Sequence, residues 1–143
     1  MTPLPTAFIF PGQGSQVVGM GRDLAEDYPI ARQVFEQADD LLGFSLSRLM
    51  WEGPDDELND TLNTQPALLT HSVAAMQVFS QCFPEIQPVS AAGHSMGELT
   101  ALVAAGILPF SEALRLVRLR GEQMKYAGQL APGGMAAILG LNI

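Results

Sequence analysis

Three residues at fixed spacing, Gly93, Ser95 and Gly97, form a Gly-x-Ser-x-Gly pattern whose serine could act as a nucleophile. An apolar run over residues 88–92 precedes the pattern, and a helical pattern over residues 96–105 follows it. This order predicts a nucleophile elbow, in which a strand ends in a sharp turn at the N-terminus of a helix. Glycines lack the Cβ atoms that would collide there, and backbone N–H groups at the turn can stabilise an oxyanion. Because three fixed residues also occur by chance, it is the flanking strand and helix that favour the functional interpretation.

Arg120 is the second residue whose position indicates chemistry. The sequence predicts a helix that Ser111 caps and that ends near Ala127, and a helical projection places Arg120 in the middle of its apolar stripe. An inward arginine needs an anion, because an unpaired buried charge is unfavourable. That anion is either a carboxylate in an internal salt bridge or a substrate carboxylate bound by the guanidinium, and the spacing favours neither. The apolar stripe consists of Ala113, Leu116, Val117 and Met124.

A glycine-rich loop over residues 11–16 follows a short apolar run, Thr6–Phe10, which predicts a buried strand. Gly12 and Gly14 match the first two positions of the dinucleotide-binding fingerprint, but the third position is Val17. No Gly-Lys-Ser/Thr triplet follows either, so a nucleotide site is not favoured. The composition instead predicts a flexible loop whose backbone closely approaches a ligand or another loop.

Two helical segments are predicted in the first third of the chain. Residues 29–42 form the first, with Pro29 in its first turn and Gly43 where its C-terminus needs a left-handed residue. Residues 45–51 form a short helical turn, and residues 52–57 form an acidic surface loop.

A mostly apolar helix is predicted next, with Thr64 as its N-cap, Pro66 in its first turn and an end near Phe83. Apolar residues around most of its circumference indicate burial on most sides. His71 lies within this helix, where a single histidine is more often a packed core residue than a catalytic one.

The composition excludes several classes of protein. With 143 residues, of which 48% are hydrophobic and 15% charged, the chain can form one globular domain with its own core. The formal net charge of −8 argues against a nucleic-acid partner, which needs a basic face. No apolar run is long enough for a membrane span, and no signal peptide is recognisable. Because Cys82 is the only cysteine, neither a disulfide nor a cysteine metal site is expected, and the sequence predicts a soluble cytoplasmic protein.

Five motifs, taken in order, resemble the malonyl-CoA:acyl-carrier-protein transacylases and the related acyltransferase domains of fatty-acid and polyketide synthases. They cover nearly the whole chain, so the resemblance is far more specific than the Gly-x-Ser-x-Gly pattern alone. The matching segments are residues 10–16 (Phe-Pro-Gly-Gln-Gly-Ser-Gln), 64–67 (Thr-Gln-Pro-Ala), 93–98 (Gly-His-Ser-Met-Gly-Glu), 120–121 (Arg-Gly) and 134–138 (Gly-Met-Ala-Ala-Ile).

This resemblance implies roles for five residues. Ser95 would be the nucleophile that takes malonyl from coenzyme A, and the backbone N–H groups of Gln13 and Met96 would form the oxyanion hole. Arg120 would bind the free malonyl carboxylate, and Gln65 would line the same pocket. The acyl-enzyme would then pass malonyl to the phosphopantetheine thiol of acyl carrier protein. No metal and no cofactor of its own is implied, because coenzyme A belongs to the substrate and the partner carries the phosphopantetheine.

The resemblance also implies an α/β fold with an α/β-hydrolase-like parallel sheet and flanking helices. Residues 1–143 would be the N-terminal part of the acyltransferase domain, and residues 133–143 would begin its small ferredoxin-like subdomain with a strand over residues 135–139. Family members are longer, and their further part supplies the histidine that activates the serine. Neither His71 nor His94 is expected to replace it. The chain alone is therefore expected to be inactive or nearly so and prone to association. It could be a cleaved or otherwise shortened product, or one half of a split protein that a second chain completes.

Two other interpretations stay open. A serine hydrolase of the α/β-hydrolase type would share the elbow, but it would not explain an inward Arg120. A non-catalytic remnant that binds acyl carrier protein would explain the missing histidine. Such binding could use a basic face of Arg115, Arg118 and Lys125, although a solvated helix face explains the same residues.

Overall fold

Two parallel strands, β1 (Thr6–Phe10) and β2 (Pro88–Gly93), pair in the computed structural model, which describes residues 5–131, 133 and 140. Phe10 is the register partner of Gly93, so both strands end at the same edge of the sheet. Parallel strands need a long crossover connection, and helices between the two strands supply it. The predicted α/β fold, with a parallel sheet and flanking helices, is confirmed.

The helices fall into two groups around β2. The crossover contains α1 (Arg22–Asp27), α2 (Pro29–Leu42), α3 (Leu46–Glu52), α4 (Asp55–Asn59) and α5 (Thr61–Cys82), and the segment after β2 contains α6 (Gly97–Ala104) and α7 (Phe110–Leu130). The hydrophobic core lies where α2, α5 and α7 pack against one another. Its largest fully buried side chains include Phe35, Leu68, Leu69 and Leu114.

The first predicted helices are confirmed in position. α2 has the predicted bounds, with its proline in the first turn and Gly43 in the left-handed region at φ 72°. α3 corresponds to the predicted helical turn over residues 45–51. The acidic surface loop over residues 52–57 is wrong in part, because Asp55–Asn59 forms α4. Three carboxylates lie in the first turn of α4, where the partial positive charge of a helix N-terminus favours them.

The start of α5 differs from the prediction. Asp60, and not Thr64, caps the helix by accepting a hydrogen bond of 3.0 Å from Leu62 N. Pro66 therefore lies inside α5, where it cannot donate the usual hydrogen bond to Leu62 O. Arg118 of α7 donates to that carbonyl instead, at 3.0 Å, so the helix tolerates the proline.

α7 also differs from its prediction. It begins at Phe110 after Pro109, without the predicted cap by Ser111, and it runs to Leu130. Its buried residues are Ala113, Leu114, Val117 and Gly121. Leu116 and Met124 of the predicted stripe are 44% and 37% exposed. The buried line follows the crossing with α5, where a Cβ on Gly121 would lie 2.9 Å from Thr61 O.

One face of the strand pair is open to solvent in the described part of the chain. Ile9 is 80% exposed, and Ala7, Ser90 and Ala92 on the same face are exposed as well, although parallel sheets are ordinarily covered on both faces. The predicted strand over residues 135–139 lies outside the described residues, as does most of the segment 133–143 predicted to begin a subdomain. Among the described helices, none has both the length and the apolar character that a membrane crossing requires.

Candidate active site

The turn between β2 and α6 has the geometry of a nucleophile elbow. Ser95 adopts φ 55°, and it is the one non-glycine residue with positive φ in the described part of the chain. Its side chain is exposed at the tip of the turn, between the end of β2 and the first turn of α6. A strained backbone at a serine that joins strand to helix is the arrangement that presents a hydroxyl for reaction.

Both glycines of the pattern are required by close backbone contacts. A Cβ on Gly93 would lie 2.0 Å from the carbonyl of Gly97, inside the elbow itself. A Cβ on Gly97 would lie 2.6 Å from Phe10 O, at the end of β1. The elbow therefore packs directly on the neighbouring strand, and any side chain at either position would separate them.

The glycine-rich loop lies against the elbow, as its composition predicts. His94 N donates to Phe10 O at 3.1 Å, where the loop begins. A Cβ on Gly12 would lie 2.6 Å from His94 Nδ1, so the histidine ring packs on the loop backbone. Among the described residues, His94 makes no hydrogen bond to Ser95.

Gln13 and Met96, the two residues predicted to supply oxyanion donors, lie on these two contacting segments. Gln13 is exposed, and its side-chain Nε2 donates to Thr61 Oγ1 at 3.1 Å. Met96 is 1% exposed, so its side chain belongs to the core. Its backbone occupies the N-cap position of α6. Neither backbone N–H has a hydrogen-bond partner within residues 5–131. Both donors are therefore available to a ligand.

Arg120 is brought to the serine by α7. Its Nη2 donates to Ser95 Oγ at 2.9 Å, and its Nη1 donates to Gln65 Oε1 at 2.7 Å. Gln65 is fully buried on α5, and its Nε2 donates to Met124 Sδ at 3.3 Å. The described residues hold no ion pair to Arg120, so an internal salt bridge in this part of the chain does not explain its inward position. Its guanidinium contacts two neutral oxygens, so its positive charge is not neutralised by them and can attract an anionic ligand.

His71 packs away from this serine. Its Cδ2 would lie 2.9 Å from a Cβ on Gly21, and its ring lines an apolar groove with Phe8 and Phe79 between β1 and α5. Burial lowers the pKa of His71, and Asp23 opposes this only in part. The ring is partly buried, so the expectation of a packed histidine is confirmed. In the part of the chain that the structure describes, it makes no hydrogen bond to Ser95.

The basic face considered for carrier-protein binding is already neutralised. Arg115 pairs with Glu112, Arg118 lies 3.6 Å from Glu122, and Lys125 pairs with Asp60. Lys125 and its hydrogen bond hold the pKa of the Asp60 carboxyl below its usual range. The structure thus favours an ion-paired, solvated helix face over a free cationic patch.

The sequence did not single out the junction between α4 and α5. Asn59 and Thr61 contact the glycine-rich loop through Gln16 and Gln13, respectively. The one available signal was Asp60, a residue type that caps helices, directly before a threonine. The competing Thr-Gln-Pro signal, which begins four residues after Asp60, concealed it.

Comparison with known proteins places the chain among acyltransferases. Residues 7–141 match the acyl transferase domain family. The chain is 52% identical over 136 residues to the malonyl CoA-acyl carrier protein transacylase of Haemophilus influenzae and 51% identical to that of Escherichia coli K12. Each match covers 95% of this chain and 44% of the relative. The chain therefore spans less than half the length of these relatives.

Solved structures give the same similarity. An acyl carrier protein S-malonyltransferase from Vibrio cholerae shares 50% identity with a TM-score of 0.81, over 85% of this chain and 39% of the other. The malonyl-transacylase PlMCAT, solved in complex with the type II polyketide synthase acyl carrier protein AntF, shares 49% identity with a TM-score of 0.82. This match covers 87% of this chain and 40% of that one.

Proposed function

The chain belongs to the acyl transferase domain family, and on this premise we propose that it carries the acyl-accepting site of a malonyl-CoA:acyl-carrier-protein transacylase. Its relatives carry that name, and one related solved structure is a complex of a malonyl-transacylase with an acyl carrier protein. The observation that carries the proposal is the double hydrogen bond of Arg120 to Ser95 and Gln65. It puts a permanent positive charge beside the acceptor oxygen.

In the first half-reaction, Ser95 Oγ attacks the thioester carbonyl carbon of malonyl-CoA. A C–O bond forms, the C–S bond breaks, the serine proton passes to a base, and coenzyme A leaves as its thiol. The backbone N–H groups of Gln13 and Met96 stabilise the oxyanion of the tetrahedral intermediate. In the second half-reaction, the phosphopantetheine thiol of acyl carrier protein attacks the ester carbonyl. A C–S bond forms, the C–O bond to Ser95 breaks, and the thiol proton passes through the base to Ser95 Oγ.

Arg120 selects the acyl group. A malonyl ester on Ser95 carries its free carboxylate two carbon atoms beyond the carbonyl carbon, close to the guanidinium that contacts Oγ at 2.9 Å. The carboxylate replaces Ser95 Oγ as the acceptor of Nη2, and a charged acceptor makes the stronger hydrogen bond. Gln65 keeps Nη1 in place during this exchange.

The base is the missing part of this mechanism. Neither His71 nor His94 hydrogen-bonds to Ser95 in the described part of the chain, and a serine hydroxyl without a base is a weak nucleophile. The resemblance implies that the base is a histidine in the part of the relatives that this chain does not match. We therefore infer that residues 1–143 act as the N-terminal part of the domain, with residues 133–143 beginning the small subdomain. Alone, the chain is inactive or nearly so, and it uses no metal or cofactor of its own.

Intact mass measurement tests the proposal. The 143-residue chain is incubated with malonyl-CoA, alone and together with a separate chain that supplies the rest of the domain. We expect a malonyl adduct only in the mixture, mapped by peptide mass to Ser95 and absent in Ser95→Ala. Ser90→Ala, an exposed serine on β2, is the matched control and keeps the adduct.

Two results would count against the proposal. No adduct in a mixture that forms a stable complex would remove the transacylase assignment. Efficient malonyl transfer by the purified 143-residue chain alone would refute its inactivity and the need for an outside base.

A serine hydrolase with the same elbow is the second candidate. It explains Ser95 and its strained backbone, but an uncharged ester gives Arg120 nothing to bind. A non-catalytic remnant that binds acyl carrier protein explains neither contact of Arg120. The contact between the guanidinium and the hydroxyl thus favours transfer of an acid-bearing acyl group over both alternatives.

A further inference from the structure

The glycine-rich loop is held in shape by two side-chain bridges to the α4–α5 junction. Gln13 Nε2 donates to Thr61 Oγ1 at 3.1 Å, across 48 residues of sequence. Gln16 Nε2 donates to Asn59 Oδ1 at 2.6 Å, while its Oε1 accepts from Gly14 N at 2.8 Å. The loop belongs to no helix or strand, and residues 13–15 are exposed. These bridges, together with the packing of Gly12 on His94, restrain its conformation.

The junction is itself firmly attached to α7. Asp60, between the two bridging residues, caps α5 through Leu62 N and pairs with Lys125 of α7. Arg118 of α7 donates to Leu62 O at 3.0 Å. Gly121 lets α7 pass directly over the backbone of Thr61. The element that anchors the loop is thus also packed against the helix that carries the substrate-binding arginine.

We propose that Thr61 is a positioning residue for the oxyanion hole. It holds the side chain of Gln13 and thereby fixes where the backbone N–H of Gln13 points relative to Ser95. Thr61 touches neither the substrate nor the reacting atoms. The proposal rests on the function proposed above, because the Gln13 N–H matters only if an oxyanion forms on an acyl group at Ser95.

The physical reason is that an oxyanion donor works only when it is already in place. A donor that must be ordered during the reaction loses most of its advantage over water. The Gln13 N–H has no hydrogen-bond partner of its own within residues 5–131, so it is directed through the Thr61 bridge to its side chain and the packing of the adjacent Gly12 on His94. Without the hydroxyl at residue 61, the Gln16 bridge and the packing of Gly12 on His94 remain, but no side-chain bridge holds Gln13 itself.

The first test needs no catalysis. In ¹⁵N relaxation measurements on the 143-residue chain, Thr61→Val is expected to lower the order parameters of Gln13 and Gly14 from about 0.85 to below about 0.6. Thr61→Ser keeps the hydroxyl and should restore the parent values. The matched control is Thr70→Val, since the buried Thr70 hydroxyl has no hydrogen-bond partner among the described groups. An unchanged loop in Thr61→Val would overturn the proposal.

The second test uses the completed domain. Thr61→Val should lower kcat for malonyl transfer about tenfold and leave KM for malonyl-CoA unchanged, because the oxyanion exists only in the transition state. A raised KM with unchanged kcat would instead make Thr61 a binding residue and contradict the proposal. If the parent domain transfers no malonyl, the proposed function fails, and the order parameters still decide whether Thr61 holds the loop.

Discussion

Gln65 Oε1 accepts a hydrogen bond of 2.7 Å from Arg120 Nη1, and this leaves Nη2 to reach Ser95 at 2.9 Å. Gln65 is fully buried on α5, and its amide is oriented by donation to Met124 Sδ. A buried amide with both ends engaged has one favoured orientation. The orientation of the Arg120 guanidinium is therefore set by the neutral amide of Gln65, and not by a carboxylate that would compete with a substrate.

Replacing Arg120 should separate malonyl transfer from ester hydrolysis. Arg120→Ala is expected to lower the rate of Ser95 malonylation in the completed domain by at least about tenfold, because a hydrogen bond to a charged group contributes about 1.5–3 kcal/mol. Hydrolysis of an uncharged ester should change little. Arg115→Ala, which removes an exposed arginine whose ion-pair partner among the described residues is Glu112, is the control for charge. Equal losses on both substrates would favour the hydrolase interpretation.

Giving Arg120 an internal carboxylate should inhibit substrate binding. Gln65→Glu places a carboxylate where the guanidinium already has an acceptor, so an ion pair forms and competes with malonyl. We expect kcat/KM for malonyl-CoA to fall at least about tenfold, mainly through KM. Gln87→Glu makes the same change at an exposed position and should have no effect. If kcat/KM for malonyl-CoA in Gln65→Glu equals that of the parent domain, Gln65 does not orient Arg120.

Two glycines on α7 should respond oppositely to alanine. Gly121→Ala puts a Cβ 2.9 Å from Thr61 O and 3.1 Å from Leu62 Cα, so α7 must move away from α5. We expect a loss of about 1–3 kcal/mol in the free energy of unfolding, measured by urea denaturation. Gly128→Ala meets no atom within 4 Å and should add about 0.5–1 kcal/mol, because alanine is the better helix former. A change of the same sign in the free energy of unfolding of both variants would contradict the close crossing of α5 and α7.

His71 should make stability depend on pH near neutrality. Burial lowers the pKa of His71 in the folded chain below its ordinary value of 6.5. The unfolded chain therefore takes up a proton first as the pH falls, and the folded state loses stability below about pH 6.5 until the lower folded pKa is passed. Urea denaturation from about pH 7.5 to about pH 5.5 should show this loss in the parent and a flatter profile in His71→Gln. A variant with the parent slope would assign the effect to other groups.

Local signals predicted the elements well where one residue type decides the backbone. Pro29 and Gly43 fixed both ends of α2, and the spacing of Gly93 and Gly97 identified the elbow, because in each case the backbone tolerates few alternatives. The predicted start of α5 was wrong because two capping residues, Asp60 and Thr64, compete within five residues. Only the contact of Arg118 with Leu62 O shows how the helix continues through its proline.

Contacts between elements that are far apart in the chain could not be predicted from local sequence patterns. Helical periodicity identified an apolar stripe on α7, but the buried line is set by where α5 crosses it, so Leu116 and Met124 are exposed instead. The bridge from Thr61 to Gln13 joins residues 48 positions apart and carries no local pattern. The charge within an apolar stripe singled out Arg120, and the resemblance placed Gln65 in the same pocket, but the hydrogen bonds of Arg120 to Gln65 and Ser95 became apparent only in three dimensions.

The proline inside α5 has an evolutionary consequence. Pro66 leaves the carbonyl of Leu62 without its helical donor, and Arg118 takes that place from the neighbouring helix. We therefore expect substitutions at the two positions to be coupled. In a lineage where residue 66 regains an N–H, the helix closes its own hydrogen bond and residue 118 is released to vary. Where the proline is kept, the arginine should be kept with it, so a proline in one helix constrains which side chains the neighbouring helix can carry.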